Sequence, residues 1–349
     1  MVKTSSEIGG NSMPGITSPR VSVIIPSHRN EYIDELVISF TKEVCGSVSI
    51  EIIVVADYAV DRYKDKYTHI TWIYIPDKSI SVKRNTGILS AHSDICAFID
   101  DDCIPQKDWI PSALTYLNCH PEIAGVEGLT EICSSDEKKG AYREFKRLEN
   151  RGFRTNNIFY RKKTLFDVAM FDERFSVQRE DVDLAYTILE SGLTIGYSQN
   201  VQVTHRYRKH EKWDLLKNCV NRRFDPLLFQ KHEKLYRYYI KTPYPPGILT
   251  LFFIHCMAIA WYKIVRKYFF IGMVIDIAAI FCLTLRRMGI PVVKNSSQWI
   301  REYISFAVSP IVLTVALLYG AIRFQKFSML QLFSQRDHIF TFFSKHNKR

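Results

Sequence analysis

The feature that most constrains this chain is the stretch Ser81–Trp109, SVKRNTGILSAHSDICAFIDDDCIPQKDW. Its centre, Ile95–Cys96–Ala97–Phe98–Ile99, is a continuous apolar run that breaks off into Asp100, Asp101 and Asp102. A short apolar run bounded by polar residues predicts a strand buried on both faces, as in a parallel sheet. Three adjacent carboxylates repel one another unless a cation lies among them. Hard divalent cations such as Mg²⁺ or Mn²⁺ take oxygen ligands and are commonly shared with substrate phosphates. The plain alternative is a solvated acidic loop that follows a strand.

The segments around this stretch decide between the two. Val21–Pro26 is an apolar, β-branched run ended by proline and followed by Ser27, His28, Arg29 and Asn30. Tyr32 to Phe40 predicts a helix with Ile33, Leu36, Val37 and Phe40 on one face. Ile50–Val55 is a second strand ending at Ala56–Asp57, and Ile70–Ile75 a third. Ser81 is expected to cap the helix that runs through Ala91 and delivers the chain to the aspartate-bearing strand. Alternating strands and helices predict a Rossmann-like, doubly wound α/β sheet, which binds ligands beyond the carboxyl ends of its strands. Ser27 to Asn30, Asp57 and Asp100 to Asp102 all fall at such ends, so a site is expected there.

Further on, Gly125–Thr130 reads as a strand and Asp136–Arg151 as a charged, exposed helix. Thr155, Asn156 and Asn157 precede the apolar Ile158–Phe159–Tyr160. The FDERF at 171–175 leads into Glu180, Asp181, Val182, Asp183 and Leu184, then a helix ended by Gly192. Val201–Val203 precedes Thr204 and His205.

Lysine and arginine number 47 against 36 acidic residues, a net charge of +11, which suits anionic partners. No nucleic-acid module signature occurs, so phosphorylated substrates and acidic membrane surfaces rank above nucleic acid. The eight cysteines are scattered without CxxC pairs and read as small buried hydrophobes in a reducing compartment. No signal peptide is evident, and residues 1–20 read as a disordered leader. After a basic, aromatic segment, Arg206–Lys241, three apolar stretches follow: Gly247–Tyr262, Tyr268–Leu285 and Ile304–Ile322. Each approaches the roughly 20 residues needed to cross a bilayer. Their basic flanks fit no simple positive-inside alternation. An arrangement that accommodates them lays the first stretch in the interface and makes the other two a hairpin. The tail mixes Phe327, Leu330, Phe333, Phe340 and Phe343 with Lys and Arg, as an interfacial helix does. The expected division is a leader at 1–20, a catalytic domain at 21–242, two or three membrane helices at 243–323 and a basic amphipathic tail at 324–349.

From Val21 to His205 the chain resembles the family 2 glycosyltransferases of the GT-A fold. VSVIIPSHRN is similar to the family's opening strand and nucleotide loop, and IEIIVVADYAVD to its second strand. SVKRNTGI followed by FIDDDCIP..W is the most specific match. TNNIFYRKKTLFDVAMFDERF and REDVDLAYTILESG resemble the acceptor-side elements. Two departures stand out: Ala56 occupies a position where an acidic residue is common, and no QxxRW motif follows His205. The second argues against a processive polymerase.

The resemblance implies a membrane-anchored, metal-dependent, inverting hexosyl transfer from a nucleoside-diphosphate sugar, with the catalytic domain in the cytoplasm and a lipid-linked or membrane-proximal acceptor. Asp100 and Asp102 form the DxD pair for Mg²⁺ or Mn²⁺, which of the triplet touches the metal being left open, and His205 matches the late histidine that reaches metal or diphosphate. Pro26, Ser27, Arg29, Asp57, Arg84, Asn85, Asp100 and Asp101 fall on the nucleotide-sugar side. There Asp57 would accept from the base, Pro26 and Ser27 would shape its pocket, and Arg84 would meet the diphosphate through its guanidinium fork. Asp181 is the expected general base, with Glu180 the alternative. Plainer readings stand beside these. Carboxylates favour a helix start through the dipole alone, Arg84 suits a solvated face, and the basic run after His205 suits anionic headgroups. The rival functions are a nucleotidyltransferase or phosphoglycosyl enzyme, and a non-catalytic nucleotide-sugar-binding scaffold.

Overall fold

The computed structural model describes residues 20–28, 30–133, 146–206, 212–264, 268–288 and 296–324. An eight-stranded sheet organises its first 206 residues. Four strands run parallel: β1 (Val21–Ser27) lies between β2 (Ile50–Ala56) and β4 (Ile95–Ile99), and β3 (Thr71–Tyr74) flanks β2. Beyond β4 the sheet becomes mixed. With β5 (Cys103–Pro105), β6 (Gly125–Cys133), β7 (Asn157–Arg161) and β8 (Ile195–Arg206), the full order is β3-β2-β1-β4-β7-β6-β8-β5. The doubly wound expectation therefore holds for the first half, and an antiparallel β7 joins it to the second.

The apolar runs behave as two-sided strands because side chains alternate between faces. Val21, Val23 and Ile25 of β1 join one core with Ala97 and Ile99 of β4, whereas Ile24 joins Cys96 and Phe98 in the other. All seven residues of β1 and all five of β4 are buried. Trp109 anchors the first core, and its indole Nε1 donates to Asn157 Oδ1 at 2.9 Å. Asn157 in turn donates to the Leu129 and Val201 carbonyls, satisfying the polar groups that this junction of β6, β7 and β8 buries.

Some local expectations shift. The helix expected from Ser81 starts at Ile80 and runs to Ser90, with Ser79 preceding it. Ser81 is no cap, because its hydroxyl donates to the Phe175 carbonyl across the domain. The charged helix expected over Asp136–Arg151 falls largely outside the described residues, and its described end is a short 3-10 turn, Lys146–Glu149. All eight cysteines are free thiols, but only Cys45, Cys96, Cys103 and Cys219 are buried.

The basic, aromatic segment folds into helices Asp214–Asn221, Asp225–Lys231 and Glu233–Tyr239. Phe224, Leu227, Leu228, Leu235 and Tyr236 from it complete the second core, so it packs on the sheet domain and is not merely a solvated basic stripe. Three longer helices follow: Pro246–Ile264, Phe269–Met288 and Ser296–Arg323. The last two are long and apolar enough to cross a membrane, while the apolar part of the first, Pro246–Ala260, is shorter. Asp276, the one acid in the second apolar stretch, meets His255 Nε2 at 3.0 Å, so the bundle pairs its internal charge. The Ser296–Arg323 helix also touches the sheet domain. A Cβ on Gly320 would lie 1.9 Å from the Arg223 carbonyl oxygen, so only glycine permits this approach. The expected tail beyond Phe324 and the expected leader lie outside the described residues.

Candidate active site

The carboxyl ends of β1, β2 and β4 reach the same edge of the sheet, and the residues just past them interlock. Asp101 accepts from Ser27 Oγ at 2.9 Å and from the His28 N–H at 3.1 Å. Asp57 meets His28 Nδ1 at 2.6 Å and Lys83 Nζ at 3.1 Å, and the same ammonium donates to the Ser27 carbonyl at 2.8 Å. Burial alone would raise the Asp57 carboxyl, but the hydrogen bonds from His28 and Lys83 outweigh it and hold it below the usual range. Pro26 is buried in β1 opposite Val55. Arg29 lies outside the described residues.

The aspartate triplet divides into three environments. Asp100 meets Arg84 Nη2 at 3.1 Å, Asp101 faces Ser27 and His28, and Asp102 lies 3.5 Å from His205 Nε2. The strand ladder produces the last contact. β5 pairs antiparallel with β8 so that Cys103 stands opposite His205, and the Arg206 N–H donates to the Asp102 carbonyl at 3.0 Å.

This corner has the donor chemistry a divalent cation needs. Ligand atoms of Asp102, Cys103 and His205 lie within 4.8 Å of one another. His205 Nδ1 is 2.9 Å from the Arg206 carbonyl, which can only accept, so Nδ1 donates and Nε2 is the nitrogen that faces Asp102. A carboxylate and an imidazole nitrogen suit Mn²⁺ or Mg²⁺. The Cys103 thiol does not: burial, then the Asp102 charge, push it well above its ordinary value, so it stays protonated.

A cleft of about 980 Å³ opens beside this corner, with Arg84, Asp100, Glu180, Asp181 and His205 on its walls. Pro26, Ser27, Asp57, Asp101 and Asp102 are not among its lining residues, so the nucleotide-side group adjoins the cleft from the strand ends. Arg84 is fully buried and spans two acids, with Nη1 2.8 Å from Glu180 Oε1 and Nη2 on Asp100. Its Nε has no acceptor among the described residues. Asn85 is turned away from the cleft. Its amide brackets Phe171, accepting from the N–H at 3.0 Å and donating to the carbonyl at 2.9 Å, and also reaches Glu173. It ties the FDERF loop to the Ile80–Ser90 helix.

Glu180 and Asp181 open the helix Glu180–Glu190. Burial, then the neighbouring Asp181 charge, raise the Glu180 carboxyl to about 7 against the pull of Arg84. Asp181 is only half-buried, yet loss of solvent raises its carboxyl too, opposed by Arg84 and by the Val182 N–H that donates to Oδ1 at 2.7 Å.

Two positioning devices escaped the sequence reading. Arg179, just before these acids, holds a left-handed backbone with φ of 79°, unusual for a non-glycine residue. Its guanidinium grips the fully buried Asp225 at 2.7 and 3.2 Å, and Asp225 also accepts from Tyr236 and Arg222. The second device is Glu127 on β6, which accepts the Gly152 and Arg154 N–H groups, each at 3.0 Å, and shapes the opposite wall. Neither has a local signature, since each acts on partners 25 to 46 positions away.

Residues 22–180 match the model of Glycosyl transferase family 2. Over that span the chain is similar to this family. The mixed α/β sheet described above is consistent with the GT-A fold. Among curated proteins, the Pre-mycofactocin glycosyltransferases of Mycobacterium tuberculosis strains CDC 1551 / Oshkosh and ATCC 25618 / H37Rv are each 26% identical to this chain over 209 residues. Each match covers 54% of this chain and 43% of the relative, so the chain spans less than half the length of these relatives. A crystal structure of GalNAc-T7 with UDP, GalNAc and Mn²⁺ aligns at 14% identity and a TM-score of 0.42, covering 56% of this chain and 45% of that one. The match to the family model ends at Glu180, so Asp181 lies just past its boundary and His205 well beyond it.

Proposed function

We propose that this protein is an inverting, non-processive glycosyltransferase that moves a hexosyl group from a nucleoside-diphosphate sugar to a hydroxyl of a lipid-linked or membrane-proximal acceptor. The observation that carries the reading is one cleft that holds Asp100, Arg84 and His205 on one wall and two carboxylates with raised pKa on another. Groups with opposed tasks and shifted ionisation, gathered in one cavity, are the mark of acid–base and charge-stabilising chemistry.

In this reading Asp102 and His205, with Asp100 beside them, hold a divalent cation. Such a cation, when bound, supplies Lewis-acid neutralisation of the leaving diphosphate. Ser27, Asp57 and Asp101 frame the nucleotide, and Lys83 and His28 fix the Asp57 carboxylate in place. Arg84 balances Asp100 and Glu180, and its Nε offers a donor to a phosphate oxygen. Asp181 takes the proton of the acceptor hydroxyl. The oxygen then bonds to the anomeric carbon from the side opposite the diphosphate, and the bond from that carbon to the diphosphate oxygen breaks. Asp181 suits the task better than Glu180 because it is partly exposed and lines the cleft, while Glu180 is buried against Arg84. We assign 21–242 to catalysis and 243–323 to membrane attachment, with the catalytic domain on the cytoplasmic side and 324–349 as an interfacial tail.

The test compares Asp181→Asn with Glu180→Gln. Asp181→Asn should keep nucleotide-sugar affinity while transfer falls by on the order of 10² to 10⁴, the usual effect of losing a general base. Transfer abolished by Glu180→Gln but kept by Asp181→Asn would move the base by one residue. Transfer kept by both would remove the base from the mechanism.

A further inference from the structure

A second cavity, of about 570 Å³, lies where the sheet domain meets the long helices. Four arginines line it: Arg147, Arg222, Arg286 and Arg287. No carboxylate does. Arg287 is buried with Glu302 at 3.2 Å, and Arg222 shares Asp225 with Arg179. The side chains of Arg147 and Arg286 have no acidic partner among the described residues. Both are exposed to solvent, so they stand at the mouth of the cavity, and guanidinium groups match phosphate oxygens in a bidentate fork.

Apart from Gln178 and Asn218, the rest of the lining is largely apolar. Leu283, Phe306 and Leu313 come from the two helices long enough to cross a membrane, and Ile248 comes from the helix before them. Guanidinium groups together with apolar side chains describe the complement of an amphiphile with an anionic head. The cavity also adjoins the catalytic cleft, because Leu148 and Gln178 line both. Gln178 Oε1, at that junction, is a buried acceptor with no donor among the described residues. A buried acceptor left unmade is costly, and a hydroxyl passing between the two cavities would satisfy it. Bulk headgroups do not explain this arrangement, since juxtamembrane arginines that merely sense surface charge need neither an enclosed space nor a buried amide.

We propose that this cavity binds the acceptor, a membrane lipid that carries a phosphate or diphosphate, and that Arg286 is one of its phosphate ligands. The inference rests on the glycosyl-transfer reading above. The phosphate sits among the arginines, the hydrocarbon chain runs along the Leu283 and Phe306 side, and the hydroxyl to be glycosylated enters the cleft past Gln178 to Asp181. Its proton goes to the Asp181 carboxylate, its oxygen bonds to the donor's anomeric carbon, and nucleoside diphosphate leaves.

The probe is farnesyl diphosphate, with farnesol as the tail alone and inorganic diphosphate as the head alone, titrated into the detergent-solubilised full chain. Farnesyl diphosphate should bind saturably and at least tenfold more tightly than either fragment. Arg286→Glu should weaken it at least tenfold, and Arg286→Lys, which keeps the charge, by less. Equal binding of inorganic diphosphate would make this a free-phosphate site, equal binding of farnesol a nonspecific apolar groove, and indifference to Arg286→Glu would place the lipid elsewhere. Each of these overturns the proposal. Release of nucleoside diphosphate from a nucleotide sugar into water, measured without lipid, separates the two readings. Donor cleavage without farnesyl diphosphate binding defeats the lipid site alone. Lipid binding with no donor ever cleaved defeats the glycosyl-transfer reading and the acceptor role with it.

Discussion

Glu180 and Asp181 are chemical near-equals placed one residue apart, and their surroundings give them different duties. Glu180 is 5% exposed, and burial holds its proton to about pH 7 despite its pairing to Arg84. A carboxyl whose folded pKa lies above its unfolded value of 4.5 contributes stability that is fully present below pH 4.5 and lost as pH rises toward 7. The contribution at stake is on the order of 3 kcal/mol. Asp57, Asp172 and Asp225 are shifted downward and act in the opposite sense, so wild-type melting alone does not isolate Glu180. The difference in Tm between Glu180→Gln and wild type does. That difference should shift in favour of the variant across pH 4.5 to 7 and then level off. A flat difference would mean that Glu180 is ionised throughout and that Arg84 outweighs its burial.

At the level of elements, the start of the Glu180–Glu190 helix depends on another helix far along the chain. Asp225, at the head of Asp225–Lys231, holds Arg179 in its left-handed conformation. Asp225→Asn should cost about 3–5 kcal/mol, because it leaves a buried guanidinium without its counter-charge. It should also lower transfer, although Asp225 does not line the cleft. Thermal melts and transfer rates together check this, and a stable variant with normal transfer would show that Arg179 needs no such clamp. The contrast also shows what the sequence can reveal. Ile95–Ile99 with its aspartates was legible because an apolar run ending in charge is a local pattern, and so were Asp57 and the acids at 180 and 181. The contacts of Asn85 were not legible: its amide serves the Phe171 backbone, a contact made across 86 positions. The separate partners of Asp100 and Asp101 were likewise invisible, since they come from the Ile80–Ser90 helix and β1, whereas the resemblance had already grouped His205 with Asp102. The second half of the sheet was only partly readable, because its register depends on the β6–β8 pairing between distant segments.

Among the described residues, the long helices and the sheet domain meet at Gly320 and at the arginine-lined cavity. Gly320→Val would place a branched side chain against the Arg223 carbonyl and force the Ser296–Arg323 helix away. Its Tm should fall, Gly320→Ala should fall less, and faster proteolytic cleavage near residues 222–225 should accompany both. An unchanged Tm and cleavage pattern for Gly320→Val would show that the two parts are not joined there. The central claim is that the cleft transfers sugar from a nucleoside-diphosphate donor with the help of a divalent cation. The most direct measurement is release of free nucleoside diphosphate by the full chain, across a panel of nucleotide sugars, with a membrane lipid extract, and with Mn²⁺, Mg²⁺ or EDTA. The account predicts one preferred donor, release that the extract stimulates, loss with EDTA and collapse in a folded Asp102→Asn variant. Release that persists in EDTA and in Asp102→Asn would contradict the cation's role, and pyrophosphate or nucleoside monophosphate as the product would contradict glycosyl transfer itself.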